Sequence, residues 1–228
     1  MNMENIYNTC KEDPSAIFHY IKLGEYDVVS FLVENNVVSC NTCDGVGNNL
    51  VMRLLKARQY DLVLELMKKR NFDVNHQNDE GNTFGHLLAL DNNVGAVKIM
   101  DQLKRKTNYI PNIKNNNGQT ALDIALNNDY LYAAFKILED KRFDNIDVLS
   151  FKNLFNVSIK NKVYGRYSSI NNLEVIVDNL LKKNLNPIMR DLVDNIYKNM
   201  EAIRWDIMNN SYRLLESIIN SHVNYNYA

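Results

Sequence analysis
Apolar side chains fall along this chain at spacings of three and four residues, the stripe of an amphipathic helix, in short stretches that return at a nearly constant interval. The pairs Val28-Val29, Leu62-Val63, Ala96-Val97, Ala133-Ala134, Val175-Ile176 and Leu214-Leu215 mark one phase of this rhythm, at intervals of 34, 34, 37, 42 and 39 residues. Within a copy, Val28, Val29, Phe31 and Leu32, or Leu62, Val63, Leu66 and Met67, share one helical face. A second apolar stretch accompanies each, so every copy is predicted to be two short antiparallel helices and the chain to be all-α. One helix pair cannot bury its apolar face alone, and stability has to come from stacking on neighbours.

The segments between the stripes also repeat. Val74 to Ala89 reads VNHQNDEGNTFGHLLA and Asn112 to Leu126 reads NIKNNNGQTALDIAL, so that Gly81 with Thr83 matches Gly118 with Thr120. Asp73-Val74-Asn75, Gly81, Thr83, His86 and Ala89, then Gly118, Thr120, Leu122 and Ala125, give a pattern that resembles the ankyrin repeat over about Ser15 to Leu138. Phe84 and Ala121 stand where that family carries proline, and Asn92 and Asp129 replace the glycine between the helices; both residue types tolerate left-handed backbone.

The resemblance implies an ankyrin-type solenoid of helix pairs with short turn loops. About four copies fill 1–147, and two degenerate ankyrin-like repeats or a helical C-terminal cap fill 148–228. In that last part Leu173 to Pro187 and Ile207 to Asn226 fit second helices, the latter with Asn210 at the glycine position. First helices are expected near Phe151 to Lys160 and Pro187 to Arg204, with Asn161 to Asn171 as a polar insertion. Lys11, Glu12, Lys22 and Glu25 would form a polar N-terminal cap, and the tail with Tyr225 and Tyr227 would leave the last copy little covered.

Composition narrows the function. Twenty-six Lys and Arg against 27 Asp and Glu leave a net charge of -1, so there is no overall positive field to gather nucleic acid or anionic lipid. Eight Gly, three Pro and 37 Asn point to helices joined by Asn-rich turns. No apolar run approaches a membrane helix, and Met1 to Cys10 lacks the layout of a secretory signal; three cysteines make no disulfide framework. A cytoplasmic protein, with the cytoplasm of a host cell included, is expected.

Candidate chemistry is sparse. Cys40-x-x-Cys43 has a redox or zinc spacing but no second pair of ligands, so two loop thiols are expected there. Gly45-Val46-Gly47 lacks the context of a phosphate cradle and reads as a repeat turn. Lys104-Arg105-Lys106 is a basic run in a solvated loop and a candidate contact for an acidic partner. His19, His76 and His222 are isolated in the sequence, whereas the resemblance assigns His86 a hydrogen bond between repeats. No catalytic site, cofactor, metal or small-molecule substrate is expected.

What the resemblance adds is a surface. Carried over residue by residue, the turn tips and concave face comprise Asp79, Glu80, Asn82, Leu90 and Asp91 in the third copy and Asn116, Asn117, Gln119, Asn127 and Asn128 in the fourth. Asp44, Gly47, Leu55 and Lys56 extend it in the second copy. The implied function is a non-catalytic scaffold that binds a protein partner, host-directed in the manner of short ankyrin proteins of large DNA viruses and intracellular bacteria. The alternative is an adaptor whose C-terminal segment recruits a ubiquitin ligase, since Asn186 to Val193 faintly resembles the opening of an F-box.

Overall fold
The computed structural model describes residues 2–91, 93–144, 146–159 and 165–223. Every regular element among them is helical, and one isolated antiparallel bridge joins Cys43 and Asn49. The chain is thus all-α and repeat-like, as the three-and-four spacing requires. Among the described residues, no helix is long and apolar enough to cross a membrane. Two compact units divide it: one holds Met1–Tyr109 with Ile113–Gln119, the other Ile110–Asn112 with Thr120–Ala228.

The first unit begins with a helix that the repeat pattern does not contain, α1 (Met3–Glu12), capped by the Asn2 side chain and buried through Ile6 and Cys10. A 3-10 turn at Pro14–Ala16 leads to α2 (Ile17–Leu23) and α3 (Tyr26–Glu34). Two further pairs follow, α4 (Leu50–Lys56) with α5 (Tyr60–Met67), and α6 (Phe84–Ala89) with α7 (Val94–Leu103). Each pair packs together; α2 packs on α4, α4 on α6 and α5 on α7. The first helices are therefore neighbours of first helices; α2 buries only Ile17 and Phe18, whereas the six or seven residues of α4 and α6 are almost all buried. Leu50, Val51, Met52, Leu54 and Leu55 of α4 are at most 2% exposed.

Between the helices of a pair the backbone turns through one left-handed residue. Gly24 (φ 77°) and Arg58 (φ 57°) hold this place in the first unit, Asp129 (φ 56°) and Asn210 (φ 59°) in the second. All four make the same two bonds: the N–H of this residue reaches the carbonyl three residues back, and the next N–H reaches five back, as in Arg58 to Leu55 (2.8 Å) and Gln59 to Leu54 (3.0 Å). Asp129 and Asn210 thus stand in left-handed backbone as expected, while Asn92 lies outside the described residues. Arg58 does so with a side chain that pays a steric cost there.

The second unit contains α8 (Ala121–Asn127), α9 (Leu131–Leu138), α10 (Val148–Ser158), α11 (Gly165–Leu181), α12 (Pro187–Lys198), α13 (Met200–Met208) and α14 (Arg213–Val223). Here the packing leaves the simple order. α10 lies on α8 and α11 on α9, but α11 then takes α13 as a neighbour, while α14 packs on α10, α12 and α13. The stretch from Pro187 to Arg204 is two helices, not one, broken at Asn199, whose side chain turns back to the Asn195 carbonyl (2.8 Å). Residues 161–164 of the expected insertion lie outside the described residues, and its remainder belongs to a helix, since α11 begins at Gly165. Its polar residues serve the end of α10: Ser169 Oγ donates to Ile159 O (2.7 Å) and Asn172 Nδ2 to Ser158 O (2.8 Å). Tyr225 and Tyr227 lie outside the described residues.

Lys183 and Asp140 are both buried charged side chains of this unit. Lys183 is 4% exposed, donates from Nζ to the Asp140 carbonyl (2.6 Å) and lies 5.9 Å from the Phe143 ring centre. Burial pushes its pKa down to about 8, with Asp140 and then Asp144 opposing the fall. Asp140 in turn holds Arg142 at 2.8 Å.

Candidate interaction face at the turn tips
Three turns in the first unit are built alike, at Asp44 to Asn48, Asn78 to Asn82 and Asn115 to Gln119. The opening Asp or Asn accepts two backbone N–H groups on one side-chain oxygen, from the residues two and four places on, at 2.9 to 3.1 Å. Its own N–H bonds to the carbonyl four residues on (2.9 to 3.0 Å), and the glycine N–H closes the loop back to its carbonyl (2.8 to 3.1 Å). Gly47, Gly81 and Gly118 sit at φ 70°, 75° and 73°, a conformation glycine adopts without steric cost. The sequence repeats Gly-x-Thr because the geometry repeats.

The turns are tied to one another by side-chain amides. Asn78 Nδ2 donates to Asn48 Oδ1 (3.0 Å), and Asn115 Nδ2 donates to Asn82 Oδ1 (2.9 Å). All four asparagines are at most 8% exposed, so these bonds form in a low-dielectric setting where a missing partner would be costly. Backbone bonds add to them, from Asp79 N to Val46 O (3.4 Å) and Asn116 N to Glu80 O (3.0 Å). His86 completes the frame. Its Nδ1 accepts from the Thr83 N–H (3.0 Å), which leaves the proton on Nε2 to bond Gln119 O (2.9 Å). This bond to the following turn is the role that the resemblance assigned it.

The predicted surface residues divide accordingly. Asp79, Glu80, Asn116 and Asn117 stand exposed at the tips. Asn116 Nδ2 also reaches back to Asp79 O (2.8 Å), which orders that part of the face. Asn82 is not a surface residue: it is 7% exposed and spends its amide on Asn115 and Glu80. The physical reason is the ladder, which needs an acceptor at this position. Gln119 is half-buried and gives its backbone N–H to Asn115 and its carbonyl to His86.

Leu90 is 46% exposed and Asp91 accepts from Tyr60 Oη (2.8 Å); both line a small cleft of about 220 Å3 with Leu55, Lys56, Arg58 and Leu87. Burial, then the Asp91 carboxylate, push the Tyr60 pKa up to about 12. Asn127 and Asn128 end α8 in the second unit, both exposed, with Asn128 Nδ2 bonded to Ile124 O (2.8 Å).

The cysteine loop acquires a neighbour that sequence order did not suggest. Cys40 is buried, whereas Cys43 is exposed with its sulfur 3.5 Å from His76 Nε2. That nitrogen is 2.7 Å from Gly47 O and so carries its proton toward the carbonyl, which leaves it unable to take one from the thiol. Burial, with Asp44 and Asp79, also raises the Cys43 pKa, the opposite of nucleophile activation. Asp44 itself titrates low: burial would raise it, but the N–H of Val46, Arg53 and the N–H of Asn48 together outweigh that. Lys104 pairs with Asp101 (3.0 Å), while Arg105 and Lys106 border a groove of about 880 Å3 whose other walls include Tyr26, Asp61, Glu65 and Lys68.

In the second unit, Asn186 caps α12, and Met189, Leu192 and Val193 are fully buried in the unit's own core. The apolar side of the segment from Asn186 to Val193 is therefore already occupied. No protein-family model matches the sequence, and no curated protein matches it at a significant level.

Proposed function
We propose that the chain is an ankyrin-type repeat protein acting as a non-catalytic scaffold, which binds a protein partner through the turn tips of its first unit. The observation that carries this reading is the amide ladder. Three turns of one geometry hold Asp79, Glu80, Asn116 and Asn117 outward on a backbone fixed by buried asparagines and His86. A surface ordered before binding loses little conformational entropy on association. Carboxylates and amides at the tips suit a polar partner face bearing cations or amide groups.

The test is affinity capture with the intact chain and with Asp79→Lys/Glu80→Lys. Captured partner should fall by roughly ten-fold or more with the thermal midpoint nearly unchanged, because exposed turn charges contribute only about 0.5 kcal/mol or less to stability. Undiminished capture by the double variant would refute the assignment of this face.

A further inference from the structure
Asn117-Gly118 is the one asparagine–glycine pair in the sequence, and it lies at the tip of the third turn. The three turns share their internal bonds but differ in how the peptide before the glycine is held. In the first two, that carbonyl accepts an N–H from the following turn, Val46 O from Asp79 and Glu80 O from Asn116. A Cβ at Gly47 or Gly81 would also lie 2.4 Å from the Asp79 or Asn116 side-chain oxygen, so the following turn presses on the glycine. In the third, among the described residues, Asn117 O accepts no such bond, the exposed Asn117 amide has no partner, and a Cβ at Gly118 would meet nothing within 4 Å. Among the described residues, the bond from Gly118 N–H to Asn115 O (2.9 Å) alone restrains that peptide.

We propose that Asn117 is a self-modification site, converted by its own backbone to aspartate and isoaspartate. Hydroxide removes the Gly118 amide proton, and the nitrogen attacks Asn117 Cγ. The new N–Cγ bond closes a succinimide as the Cγ–Nδ2 bond breaks, and Nδ2 leaves as ammonia. Water then opens the ring at either carbonyl, giving aspartate or, with the backbone rerouted through the side chain, isoaspartate. No oxidant, cofactor or second protein takes part. Glycine matters twice, because it leaves the nitrogen unshielded and lets the chain swing into the attacking geometry.

Isoaspartate would insert a methylene into the turn and pull Asn117 N and Gln119 N away from the single oxygen of Asn115 that holds both. It would also place a third carboxylate beside Asp79 and Glu80. The chemistry stands independently of the proposed scaffold role; only its effect on partner capture rests on it.

The structure provides an internal control. Glu80→Asn creates a second asparagine–glycine pair, with Gly81, in a turn that is clamped by its successor. The folded full-length variant, incubated in mildly alkaline buffer, is followed by peptide mass spectrometry and isoaspartate-specific methyl labelling, with a parallel sample in denaturant. In denaturant both pairs should convert at the same rate. In the folded chain Asn117 should convert faster than the engineered asparagine by about ten-fold or more, the ratio given by one additional opening step of about 1.4 kcal/mol. Equal rates at the two pairs in the folded chain, or no conversion of Asn117 when the denatured sample is fully converted, would overturn the proposal. Gly118→Ala meets no neighbouring atom but strains the left-handed backbone of the folded turn (φ 73°), so it is read in denaturant, where it should slow Asn117; an unchanged rate there would mean that another nucleophile is responsible.

Discussion

Lys183→Met should change the stability of the protein in opposite directions at low and high pH. The Lys183 amine holds its proton less tightly when folded than when unfolded, with a pKa of about 8 against the ordinary 10.5. Below about pH 8 both states are protonated, and the folded state bears the whole penalty for a buried charge. At 1.36 kcal/mol per pH unit this is about 3 kcal/mol. Between about pH 8 and 10.5 the unfolded chain binds more protons than the folded one, so stability rises with pH across that window. Above it both states are neutral and the penalty is gone.

Methionine removes the charge but also removes the Nζ bond to the Asp140 carbonyl, worth about 1 kcal/mol. The variant should therefore be about 2 kcal/mol more stable than the parent near pH 7 and about 1 kcal/mol less stable near pH 10.5. Urea unfolding followed by far-ultraviolet circular dichroism at a series of pH values gives the difference between the two proteins, in which the titration of all other groups largely cancels. A difference that stays flat from pH 7 to 10.5 would refute the reasoning, since it would mean that the amine is solvated in the folded chain.

Two further changes probe the helix starts of the first unit. Asn49 caps α4 through Oδ1, but its buried Nδ2 has no partner, whereas Thr83 and Thr120 begin α6 and α8 with a hydroxyl. Asn49→Thr should raise stability by about 1 kcal/mol, read as a higher thermal midpoint, because it keeps a capping oxygen and removes an unsatisfied donor. Thr83→Val should lower stability by about 1 kcal/mol in the same assay, through loss of the hydroxyl contact with His86 Nδ1 (2.7 Å). It should affect partner capture far less than the tip charges do.

Local regularities were legible in the sequence. The three-and-four spacing located the paired helices of the first unit, α2 to α7, and Gly-x-Thr located two of the turns, because both follow from backbone conformation within a few residues. Asp129 and Asn210 could be placed between helices for the same reason. The burial of Asn82 could not: it looks like a solvated turn residue until the Asn115 amide of the next turn arrives to use it. Cys43 and His76 are likewise 33 residues apart and meet only because consecutive turns lie side by side. α1 escaped because it stands outside the periodicity that revealed the other helices.

Hydrophobic spacing and left-handed backbone preferences act within one turn of chain, and they suffice to make short amphipathic helices joined by asparagine- and glycine-rich turns. Which helix lies on which was set by packing across the chain. In the second unit α14 carries the same apolar phase as the earlier second helices, yet it packs on α10 and α12, and α13 lies on α11 in its stead. An apolar stripe specifies that a face must be buried and leaves the partner open, because burial is non-directional. The choice came from the break at Asn199 and from polar contacts such as His222 with Asp191 (3.1 Å), which exist only once the helices have met.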